Sequence, residues 1–443
     1  MGTHETLIPL DRLERAFPDL KPLYSDGDAV AEANRCLYCH DAPCTAACPT
    51  GIDVPTFIRK IATGNARGAA RVILSANLLG YSCARVCPVE VLCVGACVYN
   101  DWRRPPIQIG RLQRYAVEKA FDDGQAGTLF RRAPATGKKV ACVGAGPASL
   151  SLAGYLALAG VDVTLFERRA IPGGLNTTGV APYKMHVDGA LREVDFVRSL
   201  GITIQEGVEV GSDVRAEDLA RDYDAVFIGV GLGQDTSLGI PGEDGPGVYG
   251  ATAWIERMKL EPGFAVLGVA CGVVIGGGNT AIDAARELTR LSVPHVLMVY
   301  RRTAEEMPGF RHEMDAARRE GVRLVEKAVP KEFIRQDGRL VGILLEDGRR
   351  IPADLAVVAI GQTRPRDLAA QFPGVEVDPG GRIVVDRATC RTGNPKIYAG
   401  GDAIRGGDLV VTAAQDGKRA ARAVCRALGV QIAVDAALNA GHQ

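Results

Sequence analysis

Apolar and polar positions divide this chain into a helical first part and a later part in which strands alternate with helices. Up to about residue 130, apolar residues recur at helical spacing, as in residues 53–63 and 66–76, and no run alternates as a strand does. Residues 122–139 lack periodicity and are rich in Gly, Arg and Ala, which predicts a linker. We therefore predict a small helical domain followed by α/β domains.

A strand, a glycine turn, a helix and a second strand follow the linker. The apolar runs predict strands over residues 139–143 and 162–166, with a helix over residues 150–159 between them. The turn reads Gly144-Ala145-Gly146-Pro147-Ala148-Ser149, and the second strand ends at Glu167. This βαβ order is typical of domains that bind dinucleotides.

The residues of that turn favour a ligand with a pyrophosphate. Glycines permit the tight turn and let the backbone approach the phosphates, which the positive N-terminus of the next helix attracts. Glu167 follows Gly144 by about 20 residues, where a carboxylate accepts hydrogen bonds from ribose hydroxyls. A glycine turn alone is weak evidence, but here the strand, the helix and the acid are in register. We predict that one adenine dinucleotide binds here.

A second copy of the pattern begins at Cys271. Residues 272–275 predict a strand, residues 282–291 a helix and residues 296–300 the next strand. The turn between the first strand and the helix reads Gly276-Gly277-Gly278-Asn279-Thr280-Ala281. The chain therefore carries two candidate dinucleotide sites.

The second copy ends differently, because its last strand runs into Arg301-Arg302 where the first copy has Glu167. A carboxylate repels a 2′-phosphate, whereas paired guanidiniums can bind one in bidentate fashion. The second site therefore favours NADP(H). In the alternative interpretation, both arginines face solvent or pair with Glu305 and Glu306.

Three further strands are predicted over residues 224–230, 354–360 and 396–399. The last of them leads into Gly400-Gly401-Asp402, and a helix follows from about Val411. Asp402 is placed to bind a hydroxyl of a flavin, with the helix start facing the flavin. The alternative is a carboxylate that caps a helix.

Eight of the twelve cysteines lie in two runs. The runs are Cys36, Cys39, Cys44 and Cys48, then Cys83, Cys87, Cys93 and Cys97. Such spacing is typical of thiolates that converge on iron–sulfur clusters, and we predict two clusters. Disulfides would suit a short secreted chain better. Structural zinc remains an alternative, although it usually brings C-x2-C pairs in twos or adds histidines, and His40 is the sole nearby imidazole.

Composition narrows the partners and the compartment. Lys plus Arg equals Asp plus Glu at 52 each, so no net charge attracts nucleic acid or an anionic membrane. The longest apolar stretch, residues 150–166, contains Asp162 and lies inside the βαβ pattern, which predicts a buried core segment and no membrane span. Many reduced thiols and oxygen-sensitive clusters favour the cytoplasm.

Together these segments resemble the NADPH-, flavin- and iron–sulfur-containing module shared by dihydropyrimidine dehydrogenases and the small subunit of bacterial glutamate synthase. The resemblance covers nearly the whole chain. It rests on the two glycine motifs in order and on Cys36-Leu-Tyr-Cys-His-Asp-Ala-Pro-Cys-Thr-Ala-Ala-Cys-Pro, Cys83-Ala-Arg-Val-Cys-Pro and Pro106-Ile-Gln-Ile-Gly-Arg-Leu-Gln-Arg.

The resemblance implies an α/β fold with an N-terminal helical double [4Fe-4S] domain and two Rossmann-like domains, for FAD and NAD(P)H, the second inserted into the first. The implied limits are residues 1–130 for the iron–sulfur domain, 138–245 with 366–443 for the FAD domain, and 246–365 for the NAD(P)H domain.

The resemblance also implies how the metal ligands interleave. One [4Fe-4S] cluster would take Cys36, Cys39, Cys44 and Cys97, and the other Cys48, Cys87 and Cys93 with Gln113 as its fourth ligand. Cys83 would then be a spectator. Spacing alone would favour eight thiolates and would leave Gln113 as an amide on a helix surface.

The cofactor positions that the resemblance implies extend the two glycine motifs. For FAD they are Gly144 to Ala148, Glu167, Gly173, Gly174, Leu175, Lys184, Val210, Gly401, Asp402 and Val410. For the nicotinamide nucleotide they are Gly277, Gly278, Asn279, Thr280, Arg301, Arg302, Ala359, Ile360 and Gly361. A further basic residue that the dehydrogenases use for the 2′-phosphate is replaced here by Pro308, so NADH also remains a candidate.

The predicted activity is transfer of hydride from NAD(P)H to FAD, and of single electrons through the clusters to an FMN-containing partner subunit. Stacking of the cofactors performs the hydride step, so we nominate no general acid. The favoured partner reduces uracil or thymine, and a glutamate synthase partner is the alternative. Cys142, Cys271, Cys390 and Cys425 form no C-x-x-C pair, which disfavours exit through a disulfide. A non-catalytic zinc scaffold is the alternative from another class.

Overall fold

The computed structural model describes residues 8–431, and its first part is helical as predicted. Predicted domain limits that fall in residues 1–7 and 432–443 lie outside the described residues. The α-helices of this part are α1 (Asp26–Ala33), α2 (Pro43–Ala46), α3 (Val54–Ala62), α4 (Ala66–Ala76), α5 (Gly80–Val86) and α6 (Ile109–Asp122). Short 3-10 helices lie at Leu13–Ala16, Val89–Val91 and Ala126–Thr128.

The rest of the described chain alternates strands with helices. Its strands are β1 (Lys139–Val143), β2 (Asp162–Glu167), β3 (Thr203–Glu206), β4 (Ala225–Ile228), β5 (Val248–Gly250), β6 (Cys271–Ile275), β7 (His295–Val299), β8 (Arg323–Val325), β9 (Pro330–Gln336), β10 (Arg339–Leu345), β11 (Arg350–Pro352), β12 (Leu355–Val358) and β13 (Ile397–Ala399). Its α-helices are α7 (Pro147–Leu158), α8 (Leu175–Thr178), α9 (Val187–Ser199), α10 (Ala216–Asp222), α11 (Ala251–Leu260), α12 (Asn279–Arg290), α13 (Arg311–Arg319), α14 (Arg366–Ala369), α15 (Asp402–Arg405) and α16 (Val410–Leu428). A 3-10 helix lies at Ala304–Glu306.

Two parallel sheets carry the two glycine motifs. The first has the order β13-β4-β1-β2-β3 and the second β5-β12-β6-β7-β8, while β11-β10-β9 form a separate antiparallel sheet. Strand β13 follows the whole second sheet in the sequence, yet it pairs with β4 of the first. The second Rossmann-like unit is therefore inserted into the first, which confirms the predicted fold class. The residue limits of the domains stay a prediction.

Both helices that follow a glycine turn begin earlier than their apolar periodicity predicts. Helix α7 begins at Pro147 and α12 at Asn279, in each case three residues before the predicted start. The reason is that polar or small turn residues form the first helical turn, and hydrophobic periodicity does not detect them. The sequence analysis also does not predict the antiparallel sheet or the short helix α15.

One hydrophobic core joins the helical domain to the first sheet. Its buried side chains include Phe57 and Leu74 of the helical domain, together with Val140 and Leu156 of the first Rossmann-like unit. Helix α7 is buried along nearly its whole length, because α16 and the helical domain cover the sides that the sheet leaves open. The iron–sulfur domain and the flavin domain therefore share one hydrophobic core.

Two buried charges also cross this boundary. Lys418 of α16 donates from Nζ to the carbonyl oxygens of Thr50 (3.0 Å) and Ala76 (2.8 Å). Glu193 of α9 accepts from the backbone N–H groups of Tyr81 (2.9 Å) and Ser82 (3.0 Å), at the start of α5. Ala76 ends α4, while Tyr81 and Ser82 begin α5. At these helix ends a lysine meets an orphan carbonyl and a carboxyl group meets orphan N–H groups, as the polarity of helix ends requires.

The N-terminal segment attaches the second sheet in a similar way. Lys259 of α11 is fully buried and donates to the carbonyl oxygens of Val180 and Met185, both at 3.0 Å. Glu14 lies 3.8 Å from the same ammonium group. Burial lowers the pKa of Lys259 to about 8, although the charge of Glu14 opposes that shift.

Removing the Lys418 ammonium tests how strongly the two domains are joined. Lys418→Met leaves two buried carbonyls without their donor, so we expect the free energy of unfolding to fall by about 2–3 kcal/mol. Lys396→Met is the matched control, since Lys396 donates to the Ala220 carbonyl (3.0 Å) in an exposed setting, and we expect a loss under about 0.5 kcal/mol. Urea unfolding followed by circular dichroism measures both, and equal losses would contradict the assignment.

Candidate functional site

The first glycine turn lies between β1 and α7. Gly144 has φ +86°, which L side chains rarely adopt, and Pro147 occupies the first helical turn, where no N–H is needed. Glu167 accepts hydrogen bonds from the backbone N–H groups of Ala145 (2.8 Å) and Arg169 (2.9 Å). The turn and the carboxylate therefore form one unit.

Gly146 and Gly174 pack backbone against backbone beside this turn. A Cβ on Gly174 would lie 2.9 Å from the Cα of Gly146, and Gly174 has φ +58°, so a larger residue would obstruct the contact. Several predicted FAD residues line a cavity here, namely Gly144, Gly146, Pro147, Ala148, Glu167, Gly174, Leu175, Lys184 and Val210. The predicted residues Ala145, Ser149 and Gly173 do not line it.

Asp402 reaches the same cavity from the end of β13, together with Gly401 and Val410. Burial raises the pKa of the Asp402 carboxyl to about 6. Its Oδ1 accepts from the backbone N–H of Asp408 (3.0 Å), in the loop before α16. Neither α15 nor α16 has a side-chain cap, so the helix-cap alternative does not hold. The carboxylate instead stabilises the loop that leads to Val410.

The second glycine turn packs against the end of β12. A Cβ on Gly276 would lie 2.3 Å from the carbonyl oxygen of Ala359. Asn279 and Thr280, at the start of α12, line the cavity, and Asn279 Oδ1 accepts from the backbone N–H of Phe310 (2.8 Å). The other predicted nucleotide residues do not line it, namely Gly277, Gly278, Arg301, Arg302, Ala359, Ile360 and Gly361.

Arg301 and Arg302 lie exposed beyond the end of β7. Within residues 8–431, neither forms a salt bridge with Glu305 or Glu306. Glu306 instead accepts from the backbone N–H (3.1 Å) and hydroxyl (3.0 Å) of Thr303 in a capping box. Both guanidiniums are therefore available to an anionic ligand.

Lys184 joins the two Rossmann-like units where both border the cavity. Its ammonium lies 2.7 Å from Asp283 of α12 and 3.1 Å from Glu313 of α13. The Tyr183 hydroxyl also donates to Asp283 (2.6 Å). Although burial opposes it, the charges of Asp283 and Glu313 raise the pKa of Lys184. The cluster is thus charged, and it holds the two units in register.

A single cavity of about 1530 Å³ connects the FAD residues that line it with Asn279, Thr280 and the Lys184 cluster. It exceeds the roughly 300–1,000 Å³ of a typical small-molecule site. Val86 and Pro88, which flank Cys87, also line it. The cavity therefore borders residues of both glycine motifs and the two chain neighbours of Cys87, a predicted cluster ligand. Its volume suits a flavin stacked on a nicotinamide.

Four of the cysteines form one group of neighbours. Burial, followed by the nearby thiolates of Cys39 and Cys97, raises the pKa of Cys36. Burial, with contributions from Cys36 and Cys97, raises the pKa of Cys44 to about 11. This is the set that the resemblance implies for the first cluster.

A second group lies beside the first. A hydrogen bond with Cys83, then burial and the charges of Cys93 and Cys48, hold the pKa of Cys87 well above its ordinary value. Burial, then Cys48 and with a smaller effect Cys44, raise the pKa of Cys93 to about 12. The effect of the Cys44 charge on the pKa of Cys93 indicates that the two groups lie within electrostatic reach of each other.

The donor set fits iron–sulfur clusters better than a single ion. Within residues 8–431, no three His, Cys, Asp or Glu side chains converge as ligands of one metal ion would. A cluster places iron and sulfide between its thiolates, so these thiolates lie farther apart than the ligands of a single metal ion. The described cysteines form no disulfide, and thiolates that raise one another's pKa are stabilised once iron supplies positive charge.

Cys83 lies next to the second group, and Gln113 contacts the start of α5, the helix that carries Cys83. Gln113 is buried on α6, and its Nε2 donates to the carbonyl oxygen of Gly80 (2.7 Å). This hydrogen bond uses the amide nitrogen and does not occupy the amide oxygen. Cys83 accepts from Asn77 Nδ2 (3.1 Å) and lies beside Cys87. The choice of Gln113 over Cys83 as the fourth ligand stays a prediction.

Sequence reasoning did not identify several residues of the cavity. Asp283 follows Asn279 by one helical turn, so helical periodicity would have placed both on one face of α12. Glu313, Val86 and Pro88 carry no such signal, because the folded chain brings them to the cavity from distant segments. Sequence motifs therefore predict only some of the residues that line the cavity.

Comparisons with known proteins agree with this arrangement. Residues 13–125 match the family described as dihydropyrimidine dehydrogenase domain II, 4Fe-4S cluster, and residues 138–417 match pyridine nucleotide-disulphide oxidoreductase. The chain belongs to the pyridine nucleotide-disulphide oxidoreductase family. It is an NAD(P)H-dependent oxidoreductase with FAD and [4Fe-4S] domains, and the zinc-scaffold alternative is wrong.

The chain matches two curated relatives over nearly the full length of each. The chain is 35% identical to the glutamate synthase [NADPH] small chain of Escherichia coli, over 94% of this chain and 98% of the relative. It is 33% identical to the NAD-dependent dihydropyrimidine dehydrogenase subunit PreT of the same species, over 92% and 96%. The family resemblance in the sequence is thus confirmed for both branches.

Solved structures show the same nucleotide-binding fold. Thioredoxin reductase of T. acidophilum has a TM-score of 0.53 at 23% identity, over 65% of this chain and 98% of that one. FprA of Mycobacterium tuberculosis in complex with NADPH has a TM-score of 0.54 at 21% identity, over 67% and 85%. Among residues 8–431, no helix has the length and apolar character needed to cross a membrane.

Nucleotide choice tests the two exposed arginines. We expect Arg301→Ala/Arg302→Ala to raise KM for NADPH by roughly 10- to 100-fold, because a charge-assisted pair to the 2′-phosphate is lost. KM for NADH, which lacks that phosphate, should stay within about twofold. Arg319→Ala/Arg323→Ala removes two exposed charges from the same unit as the control. Steady-state dye reduction with each nucleotide measures the effect, and parallel changes for both nucleotides would refute it.

Proposed function

We propose that this chain is the electron-input subunit of a hetero-oligomeric NAD(P)H oxidoreductase. The observation that carries the proposal is the cavity, because it borders both glycine motifs and the residues on either side of Cys87. A nucleotide at α12 and a flavin at α7 would meet there, next to the second cysteine group. The free thiols suit a reducing compartment, and we place the protein in the cytoplasm.

The protein's contribution is alignment. When bound, FAD supplies hydride acceptance and the clusters supply single-electron transfer. Lys184 fixes α12 and α13 against the FAD unit through Asp283 and Glu313, so the nucleotide site cannot drift from the flavin site. Fixed geometry of this kind turns an encounter into an intramolecular step.

The cysteine groups continue from the cavity toward the surface. Val86 and Pro88, the chain neighbours of Cys87, line the cavity, while Cys36 and Cys39 flank the exposed Leu37. The charge of Cys44 acts on the thiol of Cys93 and raises its pKa, which places the two groups within electrostatic reach of each other. We propose that the groups hold two [4Fe-4S] clusters with the ligands that the resemblance implies, and that electrons leave through the first group.

We propose that the partner is an FMN-containing subunit that reduces uracil or thymine to the 5,6-dihydropyrimidine. Every sheet in residues 8–431 belongs to the two nucleotide units or to the small antiparallel sheet, which leaves no second catalytic domain in that part. The relative at 33% identity is a subunit of an NAD-dependent dihydropyrimidine dehydrogenase. This supports the assignment of the substrate to another chain.

A glutamate synthase partner is the second candidate. The relative at 35% identity is the small chain of an NADPH-dependent glutamate synthase. The exposed Arg301 and Arg302 favour NADPH over NADH for the reason given above, which agrees with that relative.

The proposal is tested by anaerobic spectroscopy and by a partner assay. NADPH should bleach the flavin of the purified protein and then produce the signals of reduced clusters, with about eight iron atoms per chain. After co-purification with its partner, the complex should oxidise NADPH with uracil or thymine. Oxidation driven only by 2-oxoglutarate and glutamine would establish the second candidate, and absence of cluster reduction would refute both.

Gln113 offers a sharper test of the cluster ligands. Gln113→Cys would replace a neutral ligand by a thiolate, and the added negative charge should lower the potential of one cluster by roughly 100 mV. Gln125→Cys adds a thiol to the same domain away from the cysteine groups and should change neither potential. Redox titration followed by electron paramagnetic resonance measures both, and an unchanged potential in Gln113→Cys would show that Gln113 is not a ligand.

A further inference from the structure

Two large apolar side chains stand exposed beside the first cysteine group. Leu37 is 46% and Trp102 is 55% exposed. Leu37 lies between Cys36 and Cys39, and Trp102 lies five residues after Cys97 in the sequence. Exposed tryptophan costs free energy in water and is enriched at protein interfaces, where it often dominates the binding energy.

Direct contacts make these two segments one continuous surface. The Tyr99 hydroxyl donates to the carbonyl oxygen of Arg35 (2.7 Å), and the Arg35 guanidinium lies 5.5 Å from the centre of the Tyr99 ring. The Tyr99 and Trp102 rings are 5.7 Å apart. Arg35 also donates to the Pro105 carbonyl (2.5 Å). Trp102 therefore belongs to a packed junction with Tyr99 and Arg35, and Leu37 lies two residues along the chain from Arg35, next to Cys36.

The rim of this surface carries more arginine than acid. Arg103 and Arg104 are exposed, and Arg59 lies over the Tyr38 ring at 4.8 Å. Within residues 8–431, none of these three forms a salt bridge. The carboxylates on the same segments are Asp41 and Asp101. Arginine around an aromatic centre is the composition of a protein-binding patch. The three arginines outnumber the two carboxylates, and this excess of positive charge favours an acidic partner.

We propose that Leu37, Trp102, Arg103 and Arg104 form the docking surface for an acidic electron-accepting protein. The inference rests on the proposed function, because it takes the first cysteine group as the exit for electrons. A partner seated on this surface would lie within the shortest reach of Cys36, Cys39 and Cys97. Single electrons would pass from the reduced cluster to the partner's redox centre, with no bond formed or broken.

A second copy of this chain is a poorer occupant. In a symmetric dimer the same patch contacts itself, so Arg103 and Arg104 would face their own counterparts. Like charges placed across an interface cost binding free energy. The test therefore distinguishes an acidic partner from self-association.

Binding to flavodoxin, an acidic FMN protein, tests the surface in the intact holoprotein. We expect Leu37→Ala/Trp102→Ala to weaken binding at least about tenfold. Arg103→Glu/Arg104→Glu should weaken binding by a similar factor at low salt and by less at high salt, because salt screens the charges. Basic cytochrome c, used as the opposite probe, should bind the charge-reversed variant better than the wild type.

Two control variants change equivalent side chains elsewhere. Leu267→Ala removes an apolar side chain that is 84% exposed, and Arg339→Glu/Arg350→Glu reverses two exposed charges on the antiparallel sheet. Both should bind flavodoxin like the wild type. Iron and flavin contents must match across all variants, which establishes that the altered proteins fold and load their cofactors.

The outcomes separate this inference from the proposed function. If flavodoxin binds the surface variants as tightly as the wild type, or binds the wild type no better than cytochrome c does, the docking inference is wrong. Concentration-dependent dimerisation that disappears in Leu37→Ala/Trp102→Ala would assign the surface to a second copy instead. If NADPH reduces the flavin and clusters in every variant, the proposed function stands whatever the binding result.

Discussion

Buried ionisable side chains that hydrogen-bond across domain boundaries determine the architecture of this protein. Lys418 and Glu193 lie in the first Rossmann-like unit, yet their partners are backbone groups of the helical domain. An unsatisfied buried charge costs several kcal/mol, of the order of 3–5, so neither domain tolerates separation from the other. Thr50 and Ser82, which these charges hold, lie close in sequence to Cys48 and Cys83. The same contacts therefore position the cysteine groups against the flavin cavity.

The second Rossmann-like unit is held by charges at two separate places. At the cavity, Lys184 forms ion pairs with Asp283 and Glu313. Elsewhere, the ammonium group of Lys259, on α11, lies among the carbonyl oxygens of Val180 and Met185 and near Glu14. An inserted domain has two chain crossings and would otherwise be free to change its angle. Two sets of buried ion pairs remove that freedom. The geometry suits an enzyme in which the nucleotide and the flavin must meet directly.

The order of parts along the cavity explains why few side chains are needed for chemistry. Helices α7 and α12 begin at the two glycine turns, and Glu167 and Asp402 line the cavity. Val86 and Pro88, the neighbours of Cys87, line its wall as well. Cofactors bound there would react between positions that the fold has already aligned. In the proposed path, the cysteine groups would carry electrons from the cavity to the surface with exposed Leu37 and Trp102.

Local sequence determined the elements that depend on neighbours in the chain. The glycine turns, Glu167, Arg301-Arg302 and the cysteine runs are short motifs whose spacing alone implies a ligand, and the strands that precede the turns are plain apolar runs. The tertiary structure alone decided which motifs share a cavity. Lys184 meets Asp283 and Glu313 there from a segment about a hundred residues or more away in the chain. Their positions follow from packing and from the need to neutralise buried charge, which are properties of the whole fold and leave no pattern in any single stretch of sequence.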